Sequence, residues 1–165
     1  MRPILLNSCA RATSAAEARY RIDVPIAGRR GARVIALDDG AATLVRRLAG
    51  ESWHAARFFT LVAGSPPIGG DGMALHRVTA GPTSLGAELA EADVAVMVAT
   101  EHGSAEAADT IGRACARRGV MTAGLVLGDQ SRSRDTLLAL RPHAQVLLVS
   151  RDEQDVAEVL TALRA

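Results

Sequence analysis

The sequence contains no lysine; all 19 of its basic residues are arginine. That absence excludes a Walker-type phosphate-binding lysine, a Schiff-base lysine and a lysine general base. Aromatic residues number only four, Tyr20, Trp53, Phe58 and Phe59, too few for a base-stacking platform that grips single-stranded nucleic acid. Cysteine is limited to Cys9 and Cys115, and two thiols do not make a disulfide framework. The formal net charge is +1, so no strong field of either sign points to nucleic acid or to an anionic membrane. No apolar run approaches the roughly 18 residues of a membrane span. The N-terminus, Met1 to Cys9, has only short apolar runs and lacks the apolar core, about 7–15 residues long, of a secretory signal. The expected setting is cytoplasmic, with reduced thiols.

What is present is apolar and small. Of 165 residues, 48% are hydrophobic and 32 are alanine. A chain of this length suits one domain and buries roughly 70% of its unfolded surface. Residues 1–30 form an expected N-terminal arm, because the first 18 are Ala/Ser/Arg-rich without a period. Within the arm, Tyr20, Ile22, Val24 and Ile26 alternate at period two, which predicts a strand, and Pro25 restricts it to a sheet edge. Residues 31–165 form the expected domain. Arg33 to Leu37 is a continuous apolar strand that leads into Asp38-Asp39-Gly40, and a helix follows over Ala41 to Leu48. Strands are predicted at Arg57 to Val62, weakly at Met73 to Thr79, and at Val94 to Ala99, Val120 to Leu127 and Gln145 to Ser150. Helices are predicted from a cap at Thr83 or Ser84 to Leu89, over Ala105 to Arg118, Thr136 to Leu140, and Asp152 to Arg164. The helix over Ala105 to Arg118 should bury Ala108, Ile111, Gly112 and Cys115 and stop at Gly119. Gly64 to Gly72, rich in Gly and Pro, reads as a loop.

Alternation of buried strands with helices implies right-handed crossovers. The expected fold class is α/β: a three-layer α/β/α Rossmann-like sandwich on a mostly parallel sheet of about six strands. In such sheets ligands bind beyond the carboxyl ends of the strands, where the strand order reverses. For the common order 3-2-1-4-5-6 that point falls between the strands at 33–37 and 94–99. The candidate ligand-binding residues are then Asp38, Asp39 and Gly40 on one loop and Thr100, Glu101, His102, Gly103 and Ser104 on the other. The first loop lacks the G-x-G-x-x-G fingerprint, and its two carboxylates repel a phosphate unless a cation intervenes. Asp38 and Asp39 are therefore candidate ligands for Mg²⁺ or another hard cation; the bland reading makes Asp39 the helix cap and leaves Asp38 solvated. On the second loop, Gly103 and Ser104 open a helix and so form a candidate anion site. Glu101 and His102 are a candidate acid–base or metal-ligating pair, against the bland reading of a surface loop with an ordinary cap. His54, His76 and His143 show no metal-like spacing and read as surface or packing residues, and Cys115 reads as an inert core thiol.

The stretch Leu89 to Leu127 resembles the nucleotide-binding domain of the FtsZ/tubulin superfamily. The matching pieces are Ala92 to Ala99, a glycine-bearing loop, a helix ending Cys115-Ala116-Arg117-Arg118-Gly119, and Val120 to Leu127, with Arg33 to Leu48 laid on that family's first strand, loop and helix. The family's glycine-rich signature loop would fall on Ala99 to Ala105, where only Gly103-Ser104 survives. The resemblance therefore implies the fold and the position of the cleft, and does not carry over GTP hydrolysis.

Two functional readings follow. In the first the chain is a non-catalytic Rossmann-like module for a ligand or a protein partner, self-associating as a homo-oligomer through strand addition by its arm. In the second it is a small enzyme for a nucleotide or other phosphate-bearing ligand, with a Mg²⁺-assisted site at the strand C-terminal cleft. Nucleic acid and membranes are not expected partners.

Overall fold

A computed structural model describes residues 31–62, 72–129 and 131–163. The expected arm at 1–30, its strand at 19–26 and nearly all of the 64–72 loop lie outside the described residues.

Among the described residues, five helices and one seven-stranded sheet are formed. The first strand, β1 (Ala32–Ala36), is buried at every position. It is followed by α1 (Asp39–Leu48), then β2 (Arg57–Leu61), β3 (Ala74–Arg77) and β4 (Gly81–Ser84). Next come α2 (Leu85–Ala90), β5 (Val94–Ala99), α3 (Ala105–Arg118), β6 (Met121–Leu127), α4 (Arg134–Leu140), β7 (Val146–Ser150) and α5 (Gln154–Ala162). The sheet order is β4-β3-β2-β1-β5-β6-β7. Strands β2, β1, β5, β6 and β7 are parallel, and β3 and β4 join antiparallel.

The continuous apolar runs are explained by burial on both faces. In β5, Val94, Val96 and Val98 pack with α1 and α5, whereas Ala95, Met97 and Ala99 pack with α2, α3 and α4. A strand covered on one face alone would have alternated apolar with polar residues. Within α3 the stripe Ala108, Ile111, Gly112 and Cys115 is buried as expected. Gly112 is required by a close approach, because a Cβ there would lie 2.1 Å from Cγ of His143. Gly119 stops the helix in the left-handed region, at φ 66°.

The sheet differs from expectation at one end. Strand β4 is a seventh strand, and its pairing with β3 is antiparallel. Pro82 is exposed on this end strand, where its missing N–H costs no ladder bond. Only residues 78–80 link β3 to β4, far too few for the crossover of about a dozen residues that a parallel pair needs. Ser84 ends β4 and caps α2, its hydroxyl accepting from Ala87 N at 3.4 Å.

The foot of the sheet carries an unexpected charge cluster. Arg33 on β1 is fully buried, and its guanidinium donates to the carbonyls of Glu88 and Glu91 at 3.2 and 2.6 Å. The Glu88 carboxylate lies 3.4 Å from Arg33 and 3.3 Å from Arg57, and also accepts from Thr83 Oγ1 at 3.1 Å. Burial, followed by the neighbouring Arg57, lowers the Arg33 pKa from its ordinary value. A buried cation survives only with such partners, so this cluster fixes α2 against the ends of β1 and β2. No helix of the described residues is long and apolar enough to cross a membrane.

Candidate functional site

The strand order reverses at β1, which has β2 on one side and β5 on the other. Their carboxyl ends open into a cavity of about 500 Å³, the size that accommodates a small organic ligand. Asp38, Asp39 and Gly40 line it from the β1–α1 loop, and Thr100 and His102 line it from the β5–α3 loop. Six further lining residues lay outside the sequence candidates: the apolar Ala36, Leu37 and Ala42, Thr60 and Leu61 at the end of β2, and Arg46 on α1. Position explains why they were missed. Arg46 stands two turns into its helix, and Thr60 is read only as part of a strand until the sheet order places it beside the cleft.

Asp38 is the central side chain, and it is held from two directions. Its Oδ1 accepts from Ala41 N and from Thr100 Oγ1, each at 2.8 Å, and its Oδ2 accepts from Thr100 N at 2.6 Å. It is therefore the N-cap of α1, in extended conformation with φ −153°. This corrects the assignment of the cap to Asp39 and of solvation to Asp38. Asp39 is the first helical residue and is exposed, where its charge favours the positive end of the helix. Both oxygens of Asp38 thus already carry donors from the chain, which leaves it poorly placed to serve a cation. Among the described residues no group of three or more His, Cys, Asp or Glu side chains is placed to hold a metal ion.

Gly40 serves packing. A Cβ there would lie 2.9 Å from Cγ2 and 3.0 Å from Oγ1 of Thr100, so the glycine lets the two loops interlock through Asp38 and Thr100. The remaining candidates lie outside the cavity lining. Ser104 caps α3, accepting from Ala107 N at 3.2 Å, and its own N–H donates to Leu37 O at 3.1 Å. That amide is spent on the backbone of the neighbouring loop rather than on an anion. Gly103 leaves room for Ala99 and Thr136, whose atoms would stand 2.7 and 2.8 Å from a Cβ. Glu101 turns toward the next loop, where it approaches Arg132 at 3.7 Å and lies over Gly128.

A smaller pocket of about 330 Å³ lies at the ends of β6 and β7, lined by Gly128, Asp129, Val149, Ser150 and Arg151. Asp129 there accepts from the Ser131 hydroxyl and amide at 2.7 and 2.9 Å, and from Arg151 at 2.9 Å. The Ser131 hydroxyl, then its amide, hold this carboxyl below the ordinary range. Elsewhere, His143 packs on Gly112 and meets Asp109 at 3.1 Å. Cys115 is buried, and desolvation pushes its thiol up to about 12, so it stays a protonated, inert core group.

Chemically, the main cavity is lined by two carboxylates, of which Asp38 is committed to the chain, and by one cation, an imidazole and two hydroxyls around an apolar floor. It can orient a small ligand by hydrogen bonds and a single ion pair. Neither a family model nor a curated protein matches the chain.

Proposed function

We propose that the chain is a non-catalytic Rossmann-like binding module, with three α/β/α layers, whose ligand enters the cavity between the ends of β1, β2 and β5. Partition of α1 and α5 into one core cluster and of α2, α3 and α4 into another supports the layering. The FtsZ/tubulin likeness is retained as a likeness of layout alone. The observation that carries the reading is the coincidence of the 500 Å³ cavity with the reversal of strand order. Asp38 supports the non-catalytic part: its carboxylate is committed to Ala41 and Thr100 and so works as a clasp. Ligand recognition then falls to the exposed side chains Asp39, Arg46 and His102, with Thr60 deeper in. Self-association and a cytoplasmic setting belong to the same proposal, and the buried, unpaired Cys115 is consistent with the latter.

Arg46 favours a second reading, an enzyme acting on a nucleotide or another phosphate-bearing ligand with Mg²⁺ as cofactor. It is the cationic side chain lining the cavity, and a planar guanidinium grips phosphate bidentately. One screen separates the two. Thermal unfolding is followed with guanine and adenine nucleotides, NAD(P), S-adenosylmethionine and acyl-CoA, each with and without Mg²⁺. A ligand at about 100 times its Kd adds roughly 2.7 kcal/mol. A Mg²⁺-independent shift that is lost in Arg46→Ala or His102→Ala supports the binding module. A Mg²⁺-dependent shift with turnover of the nucleotide supports the enzyme. No shift from any compound refutes a small-ligand site of these classes.

A further inference from the structure

The main cavity carries both signs of charge on one face of one helix. Asp39, Ala42 and Arg46 of α1 all line it, and the spacing i, i+3, i+7 puts them on a single helix face. Asp39 and Arg46 are exposed, and the small Ala42 between them leaves room. Seven residues span roughly 10 Å along the axis, and helical side chains lean toward the N-terminus. The reach of Arg46 is therefore back over Ala42 toward Asp39. Among the described residues neither side chain has an ion-pair partner, although the adjacent Arg47 pairs with Glu153.

The floor adds a hydroxyl. Thr60 is 6% exposed and stands beside Ala36 in the β1–β2 ladder. Phe58, two residues earlier, belongs to the core cluster that contains α1, so strand alternation turns Thr60 to that same side. Among the described residues the Thr60 hydroxyl makes no hydrogen bond. Among them too, Ser133 Oγ is the one fully enclosed side-chain oxygen or nitrogen without a partner. The Thr60 hydroxyl therefore opens into the cavity that it lines. A polar group this deep is costly unless something bonds to it.

These features select a ligand by charge. Two carboxylates, Asp38 and Asp39, stand against one guanidinium, so a ligand of net negative charge is repelled. A purely cationic ligand is opposed by Arg46. Both oxygens of Asp38 are committed to the chain, which leaves Asp39 to receive an ammonium group. Arg46 can grip a carboxylate bidentately, with the Thr60 hydroxyl donating from below.

We propose that the cavity takes a free amino acid with an aliphatic side chain. Its carboxylate lies on Arg46 and Thr60, its ammonium group on Asp39 and its side chain against Leu37 and Leu61. The proposal rests on the binding-module reading and names the ligand class of that same cavity.

The test is calorimetric titration of the full chain with leucine, isoleucine and valine. The deaminated and decarboxylated forms of the tightest binder follow (for leucine, 4-methylpentanoate and 3-methylbutylamine). Circular dichroism confirms that each variant is folded. At least one of the three amino acids should bind, and loss of either charged group should weaken binding about tenfold or more. Arg46→Ala and Thr60→Val should each weaken the amino acid by about tenfold or more; Arg47→Ala should not. Asp39→Asn should weaken the amino acid and tighten the deaminated acid, a reversal that loss of a merely structural charge would not produce. Should Thr60→Val fail to fold, the exposed Asp39 and Arg46 decide the matter. Equal affinity of the wild type for the amino acid and its deaminated form would mean a plain anion site and overturn the proposal. Binding of none of the three, with a shift from a compound of the thermal screen, overturns it and leaves the binding module standing. No binding in either experiment overturns both.

Discussion

Replacing Asp38 by alanine removes three hydrogen bonds from one carboxylate. The lost cap to Ala41 N costs about 1 kcal/mol. The two bonds from Thr100 are charge-assisted, which are worth about 1.5–3 kcal/mol each. Asp38 is half-buried, so water replaces part of that loss and the lower end applies. The expected cost is about 3–4 kcal/mol, or roughly 10 °C in Tm for a chain of this size. Asp38→Asn keeps one acceptor oxygen but turns an NH₂ toward either Thr100 N or a second donor, and should cost about 1–2 kcal/mol. Thr100→Ala removes only the hydroxyl, at about 1 kcal/mol. In the double variant Asp38→Ala/Thr100→Ala the hydroxyl should cost nothing further, because its partner is already gone. Asp39→Ala is the control: Asp39 is exposed and touches only the helix dipole, worth less than about 1 kcal/mol. The assay is urea unfolding followed by circular dichroism at neutral pH. Equal costs for Asp38→Ala and Asp39→Ala would refute the clasp and restore Asp39 as the cap.

Other perturbations give equally definite outcomes. Glu88→Ala strands the buried Arg33 and should cost about 3–5 kcal/mol, whereas Glu88→Gln, which still accepts from both arginines, should cost visibly less in the same unfolding assay. Gly112→Ala drives a methyl into the His143 ring and should destabilise by about 1–3 kcal/mol; combining it with His143→Ala should cost less than the sum of the two single changes. In a Cys9→Ser background the native protein should be inert to a thiol reagent and release one thiol on unfolding, since Cys115 is buried. Its folded pKa of about 12 lies above the unfolded value of 9.0, so the stability it contributes is fully present below pH 9 and is lost as the pH rises toward 12. A native protein that reacts rapidly near neutral pH would refute the burial of that thiol.

Much of the architecture was legible because the relevant signals are local. Buried strands announce themselves as unbroken runs: Val94 to Ala99 has nothing polar in it because both faces are covered. Small residues mark helix faces, so the buried stripe of α3 followed from spacing alone. Helix ends followed from Ser104 and Gly119, whose side-chain and backbone chemistry suits those positions in almost any fold. The point where the strand order reverses, at β1 between β2 and β5, also followed, because alternation of strands and helices constrains it.

The misread pieces share a cause. In Asp38-Asp39 both residues are good caps, and only the approach of Thr100, 62 residues away, decides that Asp38 takes the role. Pro82 forbids a central strand but not an edge, and sequence does not say which strand is the edge. Arg33 is read in the sequence only as the first residue of a continuous apolar strand, because its carbonyl and carboxylate partners lie 55 or more residues away. Likewise Arg46 and Thr60 become cavity residues only once β2, α1 and β5 are side by side. Periodicity, caps and stops belong to neighbours in the chain, and the sequence by itself determined them: the elements, their buried faces and the class of the sheet. Pairing across the sheet belongs to the tertiary structure. It decided which aspartate is the clasp, which arginine is buried, and which strands end the sheet of the described residues, because each depends on a contact between residues far apart in sequence.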